Sequence, residues 1–208
     1  MCSRFENKES GISIFEKLEK DLEGNFILDD ISEELKKINI APTNNVISVL
    51  KDEENFKIKS LKWGIRFDKI NKSPLIFNSR IETIKEKKYW TQLFYRNRCL
   101  LPATAFYEWK EIDKAKVPHR IFLPDEDFFF MPSIFVMIEN NLCASLITTT
   151  PNKFMKNIHN RMPVILNKEI GLQFLKAEPD KALEFCVPLE NNTKMEIDIA
   201  KDLLKSKG

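Results

Sequence analysis

No two cysteines of this chain are spaced as C-x-x-C, no apolar run is long enough to cross a bilayer, and histidine occurs only twice. Each shortage excludes something. Cys2, Cys99, Cys143 and Cys186 lie far apart, so neither a zinc knuckle nor a dithiol redox motif is available, and free thiols are expected. The first ten residues already carry Arg4, Glu6, Lys8 and Glu9, which leaves no apolar region for a secretory signal. With no spanning segment either, the expected location is the cytosol. No repeat, low-complexity tract or linker interrupts the 208 residues, a length that fits one domain better than two. A 43% hydrophobic share that includes sixteen Phe is enough for a sizeable core.

A net charge of +2 is too near zero to announce a partner, but the charges are unevenly laid out. Residues 16–34 hold eight acids against two lysines, whereas residues 62–98 hold ten bases, Lys69 and Lys72 among them, against three acids. The basic stretch suits a phosphate backbone and equally suits a solvated face on a lysine-rich protein.

Ile14, Phe15, Leu18 and Leu22 recur at helical spacing with Gly24 placed to end the helix. An amphipathic helix is therefore predicted behind a short N-terminal strand that holds Cys2 near the core. Strands are predicted over 46–50 and 56–65 around a turn at 52–55, and a slip in the apolar alternation at Ser60 reads as a bulge. Residues 81–96 read as helical or irregular. Strands follow at 99–101, 106–110, 120–123, 128–136 and 142–149, then a helix at 152–158, a strand at 163–166, and helices at 168–175 and 179–184. Strands dominate the middle and helices the periphery. The expected fold is α+β, a single domain over 1–208 with a mainly antiparallel, barrel-like β-sheet and peripheral helices.

Cys2 is the most informative single residue. Its small side chain permits methionine aminopeptidase to remove Met1, which would leave cysteine as the N-terminal residue. Such a residue is a 1,2-aminothiol with an amine pKa of about 7.7–8.0 and a thiol pKa of about 8.5, so both nucleophiles are accessible near neutrality. It condenses with an aldehyde through the amine, then closes its sulfur onto the imine carbon to give a five-membered thiazolidine. That closure is intramolecular, and effective molarities on the order of 10⁵ M or more are attainable in good geometry. Taken alone the position is a weak signal, since most cysteines there are merely small second residues.

Further along, Asn78-Ser79-Arg80-Ile81-Glu82-Thr83 packs an amide, a guanidinium and a carboxylate behind an apolar run, a segment able to hold a sugar-phosphate. Glu108 sits between aromatics in Phe106-Tyr107-Glu108-Trp109-Lys110, a setting that raises a carboxyl pKa and suits a general acid and base. The same pattern fits an outward-facing strand residue with Tyr107 and Trp109 packed on the opposite face. His159 lies on a predicted loop in His159-Asn160-Arg161-Met162-Pro163, where it suits proton transfer or simply a cap or surface role. His119, at a strand start, reads as structural or exposed.

These pieces together resemble the SRAP family, the SOS-response-associated peptidase proteins that crosslink to abasic sites. The matching segments are Met1-Cys2-Ser3-Arg4-Phe5, Ala41-Pro42-Thr43, Trp63-Gly64, the Asn78 to Thr83 run, Arg98-Cys99-Leu100-Leu101-Pro102, the Phe106 to Lys110 run and the His159 to Pro163 run. They are collinear from Cys2 to about Leu166, and the part from about residue 167 matches only loosely. The resemblance implies that Cys2 forms a thiazolidine with the ring-opened sugar and that Asn78 orients the N-terminal residue and the reacting carbon. It implies that Glu108 shuttles protons and that His159 contacts the sugar hydroxyl or phosphate and assists imine formation. Arg4, Arg80 and Arg161 would bind phosphates through their guanidinium forks, and Trp63 would stack on a base beside the lesion. An autopeptidase activity that uncovers Cys2 is implied as well.

The expected partner is therefore single-stranded DNA containing abasic sites, with the protein nucleoid-associated when bound. The protein is expected to be a monomer without cofactor, metal or membrane contact. Two departures from the family pattern stand out: Ser3 replaces the usual glycine, and the family's usual small-residue strand is Met131-Pro132-Ser133-Ile134-Phe135 here, with a proline that suggests an edge or a bulge. Two other readings compete, a thiol peptidase acting in trans with Cys2 and His159, and a non-enzymatic single-stranded DNA-binding module built on the basic segment and aromatics.

Overall fold

A computed structural model describes residues 2–29, 35–68 and 73–204. Met1, three acids of the 16–34 stretch (Asp30, Glu33 and Glu34), and Lys69 and Lys72 lie outside the described residues. In chain order the first elements are β1 (Arg4–Asn7), α1 (Gly11–Asp21), β2 (Asn25–Leu28), β3 (Lys37–Ile40), β4 (Asn45–Asp52) and β5 (Asn55–Trp63). Then come β6 (Asn78–Arg80), α2 (Ile81–Glu86), α3 (Lys88–Arg96), β7 (Arg98–Ala103), β8 (Ala105–Ile112) and β9 (Ala115–Phe122). The last are β10 (Phe129–Ile138), β11 (Asn141–Thr149), β12 (Met162–Pro163), α4 (Lys168–Lys176), α5 (Pro179–Glu184), β13 (Glu196–Ile199) and α6 (Lys201–Leu204).

Strands β11, β10, β7, β4 and β5 form a closed five-stranded barrel. Four of its seams are antiparallel, and the fifth is a short parallel pairing of β5 with β11 at Lys62 and Trp63. The second sheet, in the order β13-β9-β8-β1-β3, is laid against this barrel. Helices cover the other side. The predicted α+β class with a mainly antiparallel, barrel-like sheet and peripheral helices is the observed architecture.

Burial on both faces of the barrel strands explains the sequence pattern better than simple alternation does. On β7, Cys99, Leu101 and Ala103 face a core shared with Phe5, Phe106 and Ile121 of the second sheet, while Leu100 faces a core shared with Ile14, Leu18 and Phe174 of the helices. A strand buried on both sides reads as a continuous apolar run. The bulge expected at Ser60 is absent, because the β4–β5 register runs unbroken from Asn45 with Lys62 to Asp52 with Asn55. The slip has another cause. Phe56 and Ile58 point to the helix-side core, and Leu61 and Trp63, of opposite parity, point to the other.

Local signals set the helix ends. Ser10 accepts a hydrogen bond from the Ser13 N–H at 3.1 Å and caps α1, and Asn167 caps α4 by accepting from Ile170 N–H at 2.8 Å. Pro132 lies within an interior strand rather than at an edge of the sheet. It is tolerated because the N–H it lacks falls on the side where Phe130 bonds Leu166 and where pairing with β11 begins only at Ser133. The helix expected at 152–158 is a single 3-10 turn at Met155–Asn157, and the strand expected at 163–166 shrinks to β12 with one further bridge from Leu166 to Phe130. Among the described residues, no helix is long and apolar enough to cross a membrane.

Candidate active site around Cys2

Cys2 precedes β1 and is almost wholly buried, with 1% of its surface exposed. Its carbonyl accepts a 2.8 Å hydrogen bond from Asn78 Nδ2, and its thiol donates to the Arg4 carbonyl at 3.3 Å. Asn78 is delivered by β6, whose parallel pairing with β11 sets Asn78 beside Leu146. The other end of that amide, Oδ1, is buried and has no partner among the described residues, so the site holds an open acceptor. Burial raises the pKa of the Cys2 thiol, and the charge of Glu108 raises it further.

Glu108 reaches the same place from β8. Its strand pairs with β1 through Phe5 with Phe106, and Glu108 shares the inward face with Phe106 while Tyr107 faces the other way. The outward-facing alternative is thereby reversed: Glu108 is 2% exposed, and burial pushes its carboxyl up to about 7.

Together with His159, Ser3, Arg4, Trp109 and Lys116, Glu108 lines a cavity of about 390 Å³. His159 arrives on the loop after the 3-10 turn. Its Nδ1 lies 3.0 Å from the Arg161 N–H and 3.2 Å from the Arg161 carbonyl; the shorter contact, to a group that can only donate, favours Nδ1 as acceptor and the ring proton on Nε2. Burial, reinforced by the Arg161 charge, lowers its pKa, so the ring is neutral at physiological pH. The four expected reactive residues, from segments as far apart as positions 2 and 159, thus converge on one site. Among the described residues no cluster of His, Cys, Asp and Glu is arranged to hold a metal ion.

The expected DNA contacts divide. Arg4 lines the cavity, its Nη1 donating to the Ser3 carbonyl at 2.7 Å, and Arg80 is exposed at the end of β6. Arg161 is committed elsewhere, with both terminal nitrogens on Glu82 at 2.8 and 2.9 Å and one also on the Thr148 carbonyl at 2.8 Å.

Trp63 is a correction. It is fully buried, its Nε1 donates to the Phe77 carbonyl at 2.9 Å, and its ring meets Phe5 edge-on at 5.0 Å, so no face is left for a base. Its apolar bulk makes it a core residue, and Trp63→Ala is expected to cost about 3–5 kcal/mol of stability. Urea unfolding monitored by circular dichroism checks this, and an unshifted midpoint would refute the core assignment. The basic stretch is likewise mixed. Arg98 is turned inward over Phe94 and Phe174 and donates to the Ala177 carbonyl at 2.6 Å, whereas Lys62, Lys85, Lys87, Lys88 and Arg96 are exposed.

One buried acid escaped the sequence reading. Glu6, 3% exposed, lies on the outer side of the second sheet, where Arg120, Thr104 and the Tyr107 hydroxyl all donate to it. Burial alone would raise its pKa, but the hydrogen bonds from Arg120 and Thr104 hold it below the usual carboxylate range. This network backs the strand that carries Glu108. A glutamate in a charged N-terminal segment offers no local sign of it, because Arg120 is 114 residues away.

Comparison with known proteins gives a consistent result. The family described as SOS response associated peptidase (SRAP) matches residues 1–204. The abasic site processing protein YoaM of Bacillus subtilis is 33% identical over 166 residues, spanning 73% of this chain and 72% of the relative. YoqW of Bacillus phage SPbeta, with the same descriptive name, is 35% identical over 156 residues, 68% of this chain and 69% of the relative. YedK of Escherichia coli is 25% identical over 198 residues, 90% of this chain and 88% of the relative. Among solved structures, a Bacteroides thetaiotaomicron protein superposes with a TM-score of 0.79 at 20% identity, covering 99% of this chain and 95% of the other. A phage-related protein of Bordetella bronchiseptica gives 0.72 at 18% identity, covering 96% and 94%. At those identities the structural likeness speaks to fold alone.

Proposed function

The chain belongs to the SOS response associated peptidase family, and from that premise we propose that it processes abasic sites in single-stranded DNA by forming a covalent thiazolidine through Cys2. The observation that carries this reading is the convergence of Asn78 on the Cys2 carbonyl with a buried, high-pKa Glu108 and a neutral His159 at one cavity.

The chemistry follows from those groups once Met1 is removed. The Cys2 amine adds to the C1′ aldehyde of the ring-opened sugar to give a carbinolamine. Glu108 in its acid form donates a proton as the hydroxyl leaves as water, producing an iminium. The Cys2 sulfur then bonds to C1′ while its proton passes to the Glu108 carboxylate, and the iminium electrons return to nitrogen. Aldehyde and aminothiol thus become thiazolidine plus one water, and Glu108 ends as it began. A carboxyl near 7 is populated in both forms at neutral pH, which this double duty needs. The open Oδ1 of Asn78 is the acceptor for the Cys2 amine or a sugar hydroxyl. The neutral Nε2–H of His159 donates to the sugar or its phosphate, and Arg4 and Arg80 bind the flanking phosphates. The same carboxyl and imidazole would also serve the autopeptidase step that exposes Cys2.

A thiol peptidase acting in trans fits less well. Burial and Glu108 raise the Cys2 thiol, the reverse of what a thiolate nucleophile requires. The direct test incubates the protein with an oligonucleotide bearing one abasic site and with an undamaged strand of the same sequence. A denaturation-resistant adduct on the damaged strand alone is the expected result. No adduct would favour the peptidase, and only salt-sensitive complexes on both strands would favour a simple binding module.

A further inference from the structure

The Arg161 guanidinium has a job inside the protein. Both of its terminal nitrogens are taken up by Glu82, and one also reaches the Thr148 carbonyl, so the fork is closed by a bidentate carboxylate and a strand-end oxygen. The backbone N–H of the same residue donates to Nδ1 of His159. Glu82 stands in the first turn of α2, directly after β6, which carries Asn78. One ion pair, 11% and 47% exposed at its two side chains, therefore joins the loop that bears His159 to the helix that continues directly from the strand bearing Asn78.

We infer that Glu82 and Arg161 are positioning residues: their ion pair holds the loop so that the Arg161 N–H fixes His159 as the Nε2–H tautomer at the cavity. The inference deepens the crosslinking reading and rests on it where rates are concerned. A hydrogen bond to the ring nitrogen that faces away from the sugar decides which imidazole nitrogen carries the proton, and a donor at the sugar is useful only if that nitrogen is Nε2. Thr148 adds a third anchor on β11, the strand to which β6 is paired, so the brace, Asn78 and His159 share one rigid support.

The experiment uses the full chain with ¹⁵N-labelled histidine, which is practical because His119 and His159 are the only two. In wild-type protein the His159 imidazole nitrogens should report a single Nε2–H tautomer above its pKa. In Glu82→Ala and Arg161→Ala the shifts should move toward a tautomer mixture. The crosslinking rate at saturating DNA should fall at least about tenfold, while the DNA concentration giving half-maximal rate stays the same. Two outcomes would overturn the inference. One is an unchanged tautomer and rate in both variants. The other is weaker binding of undamaged strand by Arg161→Ala, with the log–log salt slope reduced by about one, together with tighter binding by Glu82→Ala, which would make Arg161 a phosphate ligand that Glu82 merely masks. Should wild-type protein form no adduct, the functional reading fails, while the tautomer comparison still decides the brace.

Discussion

Cys2→Ala is expected to abolish the denaturation-resistant adduct on abasic single strands while leaving the fold in place. The substitution removes one buried sulfur and its hydrogen bond to the Arg4 carbonyl, a loss of about 1–2 kcal/mol against a core that extends well beyond it. Cys2→Ser is the sharper variant. It keeps the amine and nearly the same shape, so the imine still forms, but oxygen closes the ring less durably than sulfur. The expected product is an imine or an oxazolidine that decays on heating, whereas the wild-type adduct persists. Denaturing gels after a heat step, with mass analysis of the N-terminal peptide, separate the three proteins. A serine adduct as durable as wild type would remove the thiol from the product. A chain whose initiating residue cannot be removed should behave like Cys2→Ala, since the amine would then be locked in a peptide bond.

Much of the fold was legible because the barrel strands β4, β7, β10 and β11 carry continuous buried runs and β5 carries apolar alternation with one slip at Ser60. Strands β4, β5, β7, β10 and β11 are runs long enough to read without knowing their partners. What escaped are β2, β3, β6 and β13, which are three or four residues each and owe their conformation to pairing rather than composition. All four residues of β13 are exposed, and it exists as a strand through its ladder with β9. The site divides along the same line. Cys2, Asn78, Glu108 and His159 stand in recognisable local motifs. Whether Glu108 points in or out depended on strand parity relative to β1, which no local pattern records. Trp63 went wrong for a related reason: the family resemblance carried over a stacking role, and the burial that rules it out shows only once its indole N–H is seen bonded to the Phe77 carbonyl. The pairing of Arg161 with Glu82 spans 79 residues, and each partner had its own plausible role as a ligand.

The brace and the buried acid behind β8 show how few degrees of freedom the site retains. Asn78 and His159 are joined through Glu82 and Arg161, and Glu108 sits on a strand whose far side is pinned by Glu6 and Arg120. Under the proposed crosslinking chemistry, preorganisation of this kind would let one carboxyl act twice, because the donor and the acceptor of each proton transfer would already be in place when the aldehyde arrives.

Glu108→Gln carries the other large effect. An amide can neither donate the proton that expels water nor take the thiol proton, so adduct formation should slow by about 10²–10⁴-fold, the usual range for loss of a general acid–base group. Reversal runs through the same transition states, and it should slow in parallel; an unchanged release rate would take Glu108 out of the mechanism. The pH profile gives an independent check. With its carboxyl near 7, the wild-type rate should peak about there. It should fall on the alkaline side as Glu108 loses the proton it must donate, and on the acid side as the amine becomes protonated and the carboxylate is lost. The glutamine variant should lose the alkaline fall. Stability must follow the same group with a definite sign. The folded-state pKa lies above the ordinary 4.5, so the folded protein holds this proton more tightly than the unfolded chain does. The contribution is therefore fully present below about 4.5 and is lost as pH rises through about 7. Urea midpoints measured across that window should decline in wild type relative to Glu108→Gln, because only the wild type must place a charge in the cavity wall as the proton leaves.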